Sequence, residues 1–453
     1  MDSEQDRNPS PPPEILDNED LVPDKIGDSI YSKKWLYQAL MDIVKSCDMP
    51  PQATQEVQKP ESLSNSDAEA MESQENSKSD MVELDPIIEE KACTVWDMST
   101  SKDVAEFMNE IGVPGIILDV MERTRSPRLL EIVVGILGNM SSYDSVCKSI
   151  SENKSLLLSI LQISGTSDAP TILQIMRVIR CGVRNKCSQA MWIEAVDSNP
   201  FIFTNFKFIF ENSLNGTVIN ATYEVLYEIL SAKFQYKIAW AETPFLSSLI
   251  EGAKQLQLLK LETKHNTFFT VLNCLCEYPP HLCKLAEHWT DLNPLFTSYF
   301  LSIDEEDPIS IDKAYLNGMF ACFDTFKDIV RLETISRELI FPDIRVLKSM
   351  CKLACSVNSM VLKVWKDNMN PEHEPIDEPG LRYWLRREVS NGGKSCIDYM
   401  DSYEFQSWKC LGNAIVETAK ALLPYAEKDE DKDILNDTIN SEVEKENVNG
   451  VII

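Results

Sequence analysis

Five residues with metal-ligand chemistry fall close together at Cys274, Cys276, His281, Cys283 and His288. Thiolates and imidazoles in such a group suit zinc. The surrounding residues point elsewhere. Leu272, Leu275, Leu282 and Leu285 read as helix core around a break at Pro279-Pro280, and Cys274 and Cys276 fall on different sides of one helix. Structural core is the favoured reading, with zinc binding through Cys274–His288 as an alternative.

Other chemistries find less. Asn391-Gly392-Gly393-Lys394-Ser395 ends like a phosphate-binding loop, but Glu388 stands where the first Gly is needed and no strand precedes it. Pro371-Glu372-His373-Glu374-Pro375 is not a His-Glu-x-x-His zinc motif, and no Gly-x-Ser-x-Gly exists to seat a nucleophilic serine. Trp289 and Asn293 form a single Trp-to-Asn pair four residues apart, whereas a nuclear-import cargo groove needs a series. No catalytic residue, cofactor site or metal site is assigned, and the chain is expected not to be an enzyme.

The elements are more informative than the motifs. The chain has 453 residues, 43 Lys+Arg against 72 Asp+Glu, and a formal net charge of −29. That balance argues against nucleic-acid binding, which rests on cations at phosphates. Its 15 glycines are few for a turn-rich β-protein or a dinucleotide fold. The excess charge is concentrated: residues 1–86 carry a net −13 and residues 427–453 a net −6. The start, Met1-Asp2-Ser3-Glu4-Gln5-Asp6, has no basic or apolar leader pattern. The most apolar stretch, Leu129–Leu137, is much shorter than the roughly 20 residues of a membrane span. A soluble, intracellular protein with reduced thiols is expected, and no membrane partner.

Residues 1–25 are expected to be a disordered acidic tail, 48–86 a disordered linker and 427–453 a second disordered tail. Between the first two, Ile30, Trp35, Leu36, Leu40, Ile43 and Val44 give an amphipathic helix over 26–47, with Ser32 as N-cap. It is expected either to cap the domain or to be a free motif for a partner groove. Ser64, Ser66 and Ser77 each precede an acidic residue by three positions, a context for acidophilic kinases.

From 87 to 426 the pattern is helical with short connections. It also repeats. Ser126-Pro127-Arg128-Leu129-Leu130 through Ile136 reappears, shifted by 43, as Ala169-Pro170-Thr171-Ile172-Leu173 through Ile179. A looser copy runs through Val218, Ile219, Thr222 and Val225. Periods of about 40–47 belong to armadillo and HEAT arrays. An all-α, armadillo/HEAT-like helical solenoid with disordered acidic tails is therefore expected, of roughly seven or eight units.

Several blocks carry a family resemblance. Arg7-Asn8-Pro9-Ser10-Pro11-Pro12-Pro13, Tyr31-Ser32-Lys33-Lys34-Trp35-Leu36, Val95-Trp96-Asp97-Met98-Ser99 and Val134-Gly135-Ile136-Leu137-Gly138-Asn139-Met140 resemble the serum amyloid A-like (Saal) proteins. The resemblance implies an armadillo-type helical fold, a nuclear protein, an association with cell proliferation and no enzymatic activity. It places Asn139 near a concave face. The reading that follows is a monomeric, non-catalytic protein–protein interaction scaffold, in the nucleus and also the cytoplasm. Its contact candidates are Trp35, Arg128, Asn139, Arg177, Arg180 and Arg184. The alternative is a regulatory or adaptor subunit that engages an enzyme complex through helix 26–44.

Overall fold

Helix starts are written into the sequence. Ser126 Oγ accepts the Leu129 amide at 3.4 Å, Asp168 the Thr171 amide at 2.9 Å, and Asn153 the Leu156 amide at 3.1 Å. Each satisfies an amide the helix itself cannot pair. Pro127 and Pro170 follow these caps in the first turn, where a missing N–H costs nothing. The repeat seen in the sequence thus begins as a repeated helix start.

The computed structural model describes residues 24–48, 83–258, 265–303, 313–332, 346–347, 413, 415–423 and 428–449. Among them the chain is all-α, with one isolated bridge between Lys25 and Ser32. None of these helices is long and apolar enough to cross a membrane. The chain divides into two compact units, Met1–Asn205 and Phe206–Ile453.

In the first unit, α1 (Lys33–Ser46) and α2 (Pro86–Met98) precede two triplets. One is α3 (Lys102–Glu110), α4 (Val113–Arg123) and α5 (Pro127–Met140). The next is α6 (Asp144–Glu152), α7 (Lys154–Ile163) and α8 (Ala169–Arg184). Every third helix stacks on its counterpart: α2 on α5 and α5 on α8, α3 on α6, α4 on α7. Helix α9 (Gln189–Ser198) continues the first row by packing on α6, as well as on α7 and α8. Helix α10 (Phe201–Asn212) spans the division between the units.

Helix α5 explains the stacking. Every residue from Ile132 to Met140 is buried, so no side of this stretch faces water. A helix apolar around its whole circumference needs neighbours on all sides. Here α2 and α8 flank it, with α3 and α4 of its own layer behind.

The layers are also tied by polar bonds at a near-constant separation. Asn139 reaches back to Trp96 and Ser99, Asn185 to Asp144, Trp192 to Ser151 and Asn205 to Ser164, over 40 to 43 residues. Two glycines let the layers interlock. A Cβ on Gly135 would lie 2.3 Å from the Trp96 ring, and one on Gly182 1.9 Å from Trp192 Nε1. Each glycine is the seat of an indole from another helix.

The second unit repeats the plan with aromatic packing. Helices α11 (Gly216–Ala232), α14 (His265–Cys276) and α17 (Lys313–Val330) stack in succession. Helices α12 (Phe234–Trp240), α13 (Thr243–Leu258), α15 (Pro279–Glu287) and α16 (Trp289–Ile303) lie between them in the chain, and α13 packs on α16. Tyr223 stacks on Phe210 at 4.4 Å, and Phe300 packs against Phe323 at 4.9 Å. Lys254–Asp291 at 2.7 Å and Lys284–Glu242 at 2.5 Å join residues 37 and 42 positions apart. Residues 415–423 lie on α17, where Thr418 donates to the Phe323 carbonyl.

One expectation is corrected. Within 427–453, read as a disordered tail, residues Asp429–Asn449 form helix α18, with Leu435 and Thr438 buried. Their i, i+3 spacing places both on one face, a signal diluted by the surrounding acidic residues. The expectations for 1–23 and 49–82, the kinase contexts at Ser64, Ser66 and Ser77, and the loop at Asn391–Ser395 lie outside the described residues.

Two outcomes test this packing. Gly182→Ala must displace Trp192 from its bond to Ser151, and should lower stability by about 1–3 kcal/mol in denaturant titration. A value near zero would show that the indole is not seated. Asp328 tests charge. Burial pushes its carboxyl up and Asp324 adds to this, against the pull of Lys327. Its ionised form is therefore penalised in the native state above the ordinary carboxylate range. Asp328→Asn should raise the melting temperature at neutral pH, with the gain fading as pH falls through the titration of the native carboxyl.

Candidate functional site

The third helix of each layer carries most of the residues singled out in the sequence, and the structure sorts them. Arg128, in the first turn of α5, donates from Nε to Glu89 of α2 at 2.7 Å and from Nη1 to Glu131 at 2.6 Å. Its third contact is the Cys93 sulfur at 3.5 Å. Two carboxylates neutralise this guanidinium and raise its pKa further. Arg128 is a clamp between layers.

Asn139 is the clearest reassignment. It is 7% exposed. Its amide donates to the Trp96 carbonyl at 2.8 Å and to Ser99 Oγ at 2.9 Å, and its carbonyl accepts from Arg177 of α8. These bonds connect α2, α5 and α8 through one side chain. As a contact candidate Asn139 is therefore corrected: its hydrogen-bonding groups are spent inside the stack. A third-helix position and a polar type are visible in sequence, but its burial by the next layer is not.

Arg177 and Arg184 differ from Arg128. Arg177 is half-buried, and both of its hydrogen-bond partners, Asn139 and Gln174, are neutral amides. Its guanidinium carbon lies 3.4 Å from where a Cβ of Gly138 would stand, so it packs closely over that glycine. Arg180 is half-buried one turn on, and Arg184 is exposed in the last turn. The structure thus brings Arg177, Arg180 and Arg184 onto one helix.

Sequence reasoning passed over Trp96. Its indole lies across Gly135 and is half-buried. Gly135 and Gly138, three residues apart, share a face of α5. They seat Trp96 from one neighbouring layer and Arg177 from the other. The signal available was the pair of glycines within an otherwise bulky helix.

Trp35 lies in α1, and α1 is docked. Ser32 caps it as expected, accepting the Trp35 amide at 3.0 Å. Leu36, Ala39, Leu40 and Ile43 are buried against α2 and α4. Lys91–Asp42 at 2.7 Å and Arg123–Asp48 at 2.6 Å fasten it, and the Lys91 ammonium holds the Asp42 carboxyl below its usual value. Trp35 and Val44 are half-buried, and Ile30, expected on the apolar face, is 71% exposed. Met41 faces outward, and Tyr37 is part-exposed with its ring edge-on to Phe107.

The Cys274–His288 group does not converge. Cys274 is buried beside Ser231 and Lys237, and Lys237 pairs with Glu277. Burial pulls the Lys237 ammonium down, yet Glu277 leaves it raised overall. Cys276 is buried toward Thr325, and burial pushes its thiol far up. His281 engages the Leu275 carbonyl at 2.9 Å, and Cys283 is exposed. Among the described residues no cluster of His, Cys, Asp and Glu is arranged to hold a metal. The zinc alternative has no geometric basis in this segment.

Comparison with known proteins adds the following. Residues 202–447 match the family model described as the SAAL1 C-terminal domain, which begins close to the start of the second unit. Protein saal1 of Danio rerio is 32% identical over 268 residues, covering 56% of this chain and 52% of that protein. Protein SAAL1 of Mus musculus is 27% identical over 385 residues, covering 83% and 74%. The Homo sapiens protein is 26% identical with the same coverage. The match thus spans about half the length of the Danio rerio relative. A crystal structure of an engineered protein superposes at a TM-score of 0.40 and 11% identity over 78% of this chain and 84% of that one, too distant to bear on fold or function.

The role of Asn139 is testable as coupling. Asn139→Ala strands the Trp96 carbonyl and the Arg177 donor, at a cost of about 1–3 kcal/mol for a buried unpaired group. A double-mutant cycle with Arg177→Ala should show an interaction energy above about 0.5 kcal/mol. Additive effects would return Asn139 to the contact surface.

Proposed function

The chain belongs to the SAAL1 family, and we propose that it is a non-catalytic protein–protein interaction scaffold, built as an armadillo-like helical solenoid. The observation that carries this reading is the succession of third helices. In each unit they stack one on the next, and in the first unit Arg128, Arg177 and Arg180 remain only part-covered on them. Stacked repeats give extended surfaces that bind by matching side chains to a partner rather than by shaping a small cleft. Family resemblance supports a nuclear protein linked to promotion of cell proliferation, and the reading extends to the cytoplasm as well. The scaffold reading takes protein partners, no cofactor and no nucleic acid, and a monomeric chain.

A second reading is an adaptor for an enzyme complex, engaged through α1. The docked inner face, with Leu36, Leu40 and Ile43 already covered, supports a cap over a free motif. Tyr37 and Met41, 47% and 52% exposed, favour a version in which α1 binds by its outer face.

Affinity capture with the full chain distinguishes the two. Arg177→Glu combined with Arg180→Glu should release partners held on the third-helix face, with the melting curve recorded as a control for folding. Tyr37→Asp with Met41→Asp should release partners held by α1. A folded arginine variant that keeps every partner would sink the scaffold assignment to this face.

A further inference from the structure

We propose that the outward side of α8, together with the Trp96 indole, is a docking surface for an extended acidic peptide that carries an apolar residue among its carboxylates. This rests on the scaffold reading and names the chemistry of its partner.

The charge comes first. Helix α8 spans Ala169–Arg184 without one Asp or Glu, in a chain with 72 of them. Arg177 and Arg184 are seven residues apart, so they fall on one side of the helix. Arg128, one layer earlier, is neutralised by Glu89 and Glu131. Among the described residues Arg177 bonds to Asn139 and Gln174, neutral amides that fix its plane without compensating its charge. A guanidinium held in place by neutral amides is prepared for a carboxylate, which it binds through two parallel hydrogen bonds. Little side-chain freedom is left to lose on binding.

The aromatic ring comes second. Gly135 and Gly138, both buried, let the Trp96 indole and the Arg177 guanidinium lie close over α5. The indole and the guanidinium therefore lie about one helical turn apart over the same strip of backbone. An aromatic ring beside a fixed cation matches a peptide in which an apolar residue neighbours acidic ones. Arg184, exposed at the C-terminal end of α8, extends the cationic side toward solvent.

The rest of the molecule makes the test stringent. A net charge of −29 repels an acidic peptide, so any binding reports the local face. The probe is a fluorescent Glu-rich peptide with one central Leu, titrated into the full chain at low salt and followed by anisotropy. Saturable binding that weakens with added salt is expected. Arg184→Glu, an exposed change that leaves the packing intact, should weaken it about tenfold or more. Arg177→Gln should weaken it as well, and Trp96→Ala should abolish the advantage of the Leu-bearing peptide over an all-Glu one.

Equal affinity for a Lys-rich peptide, or wild-type affinity in both arginine variants, would overturn the proposal. So would binding that appears only after removal of residues 1–23, which would assign the face to the chain's own acidic N-terminus. Partner capture that succeeds while the acidic peptide fails removes this inference alone. Failure of capture removes the scaffold reading with it.

Discussion

A helix without a polar side cannot stand at a surface, and α5 is such a helix from Ile132 to Met140. Much of the first unit follows from that constraint. Its own partners α3 and α4 cover only part of the circumference, so α2 and α8 must supply the remainder. The requirement propagates, because α8 exposes one flank and buries the other. Burial of this kind contributes about 25 cal/mol per Å² of apolar surface and has no direction. It holds the layers together without choosing how they are aligned.

Alignment comes from polar groups and from shape. Hydrogen bonds between residues about one period apart are satisfied only when successive layers are in register. The glycine seats act in the same sense, since Trp96 and Trp192 fit at Gly135 and Gly182 and nowhere that a Cβ stands. The arginines divide along this line. Arg128 and the amide of Asn139 serve register, whereas Arg177 serves it through neutral partners and keeps its charge.

Much of this was legible in the sequence. The Pro-initiated helix recurring after 43 residues marked α5 and α8, and the interlayer bonds later fell at nearly the same separation. Ser32 was legible as a cap because a hydroxyl before an apolar periodicity has few other uses. What escaped was whatever depends on a second layer. Asn139 reads as a surface asparagine until α8 covers it. Cys274 and His281 read as possible ligands until helix phase sends them to different partners. Helix α18 was hidden because its buried Leu435 and Thr438 sit among acidic residues that dominate composition. Family membership shows the reverse pattern. The residues that carried the resemblance lie before position 155, whereas the family model matches 202–447, where sequence inspection found only helical character.

Helix α1 has a consequence for assembly. A stacked array ends in a layer whose apolar edge is an adhesive surface, and an identical chain is the most abundant thing to meet it. At its beginning this protein lays α1 over α2 and pins it at Asp42 and Asp48. The apolar side of α2 is thereby covered by the chain's own residues, Leu36, Leu40 and Ile43 among them.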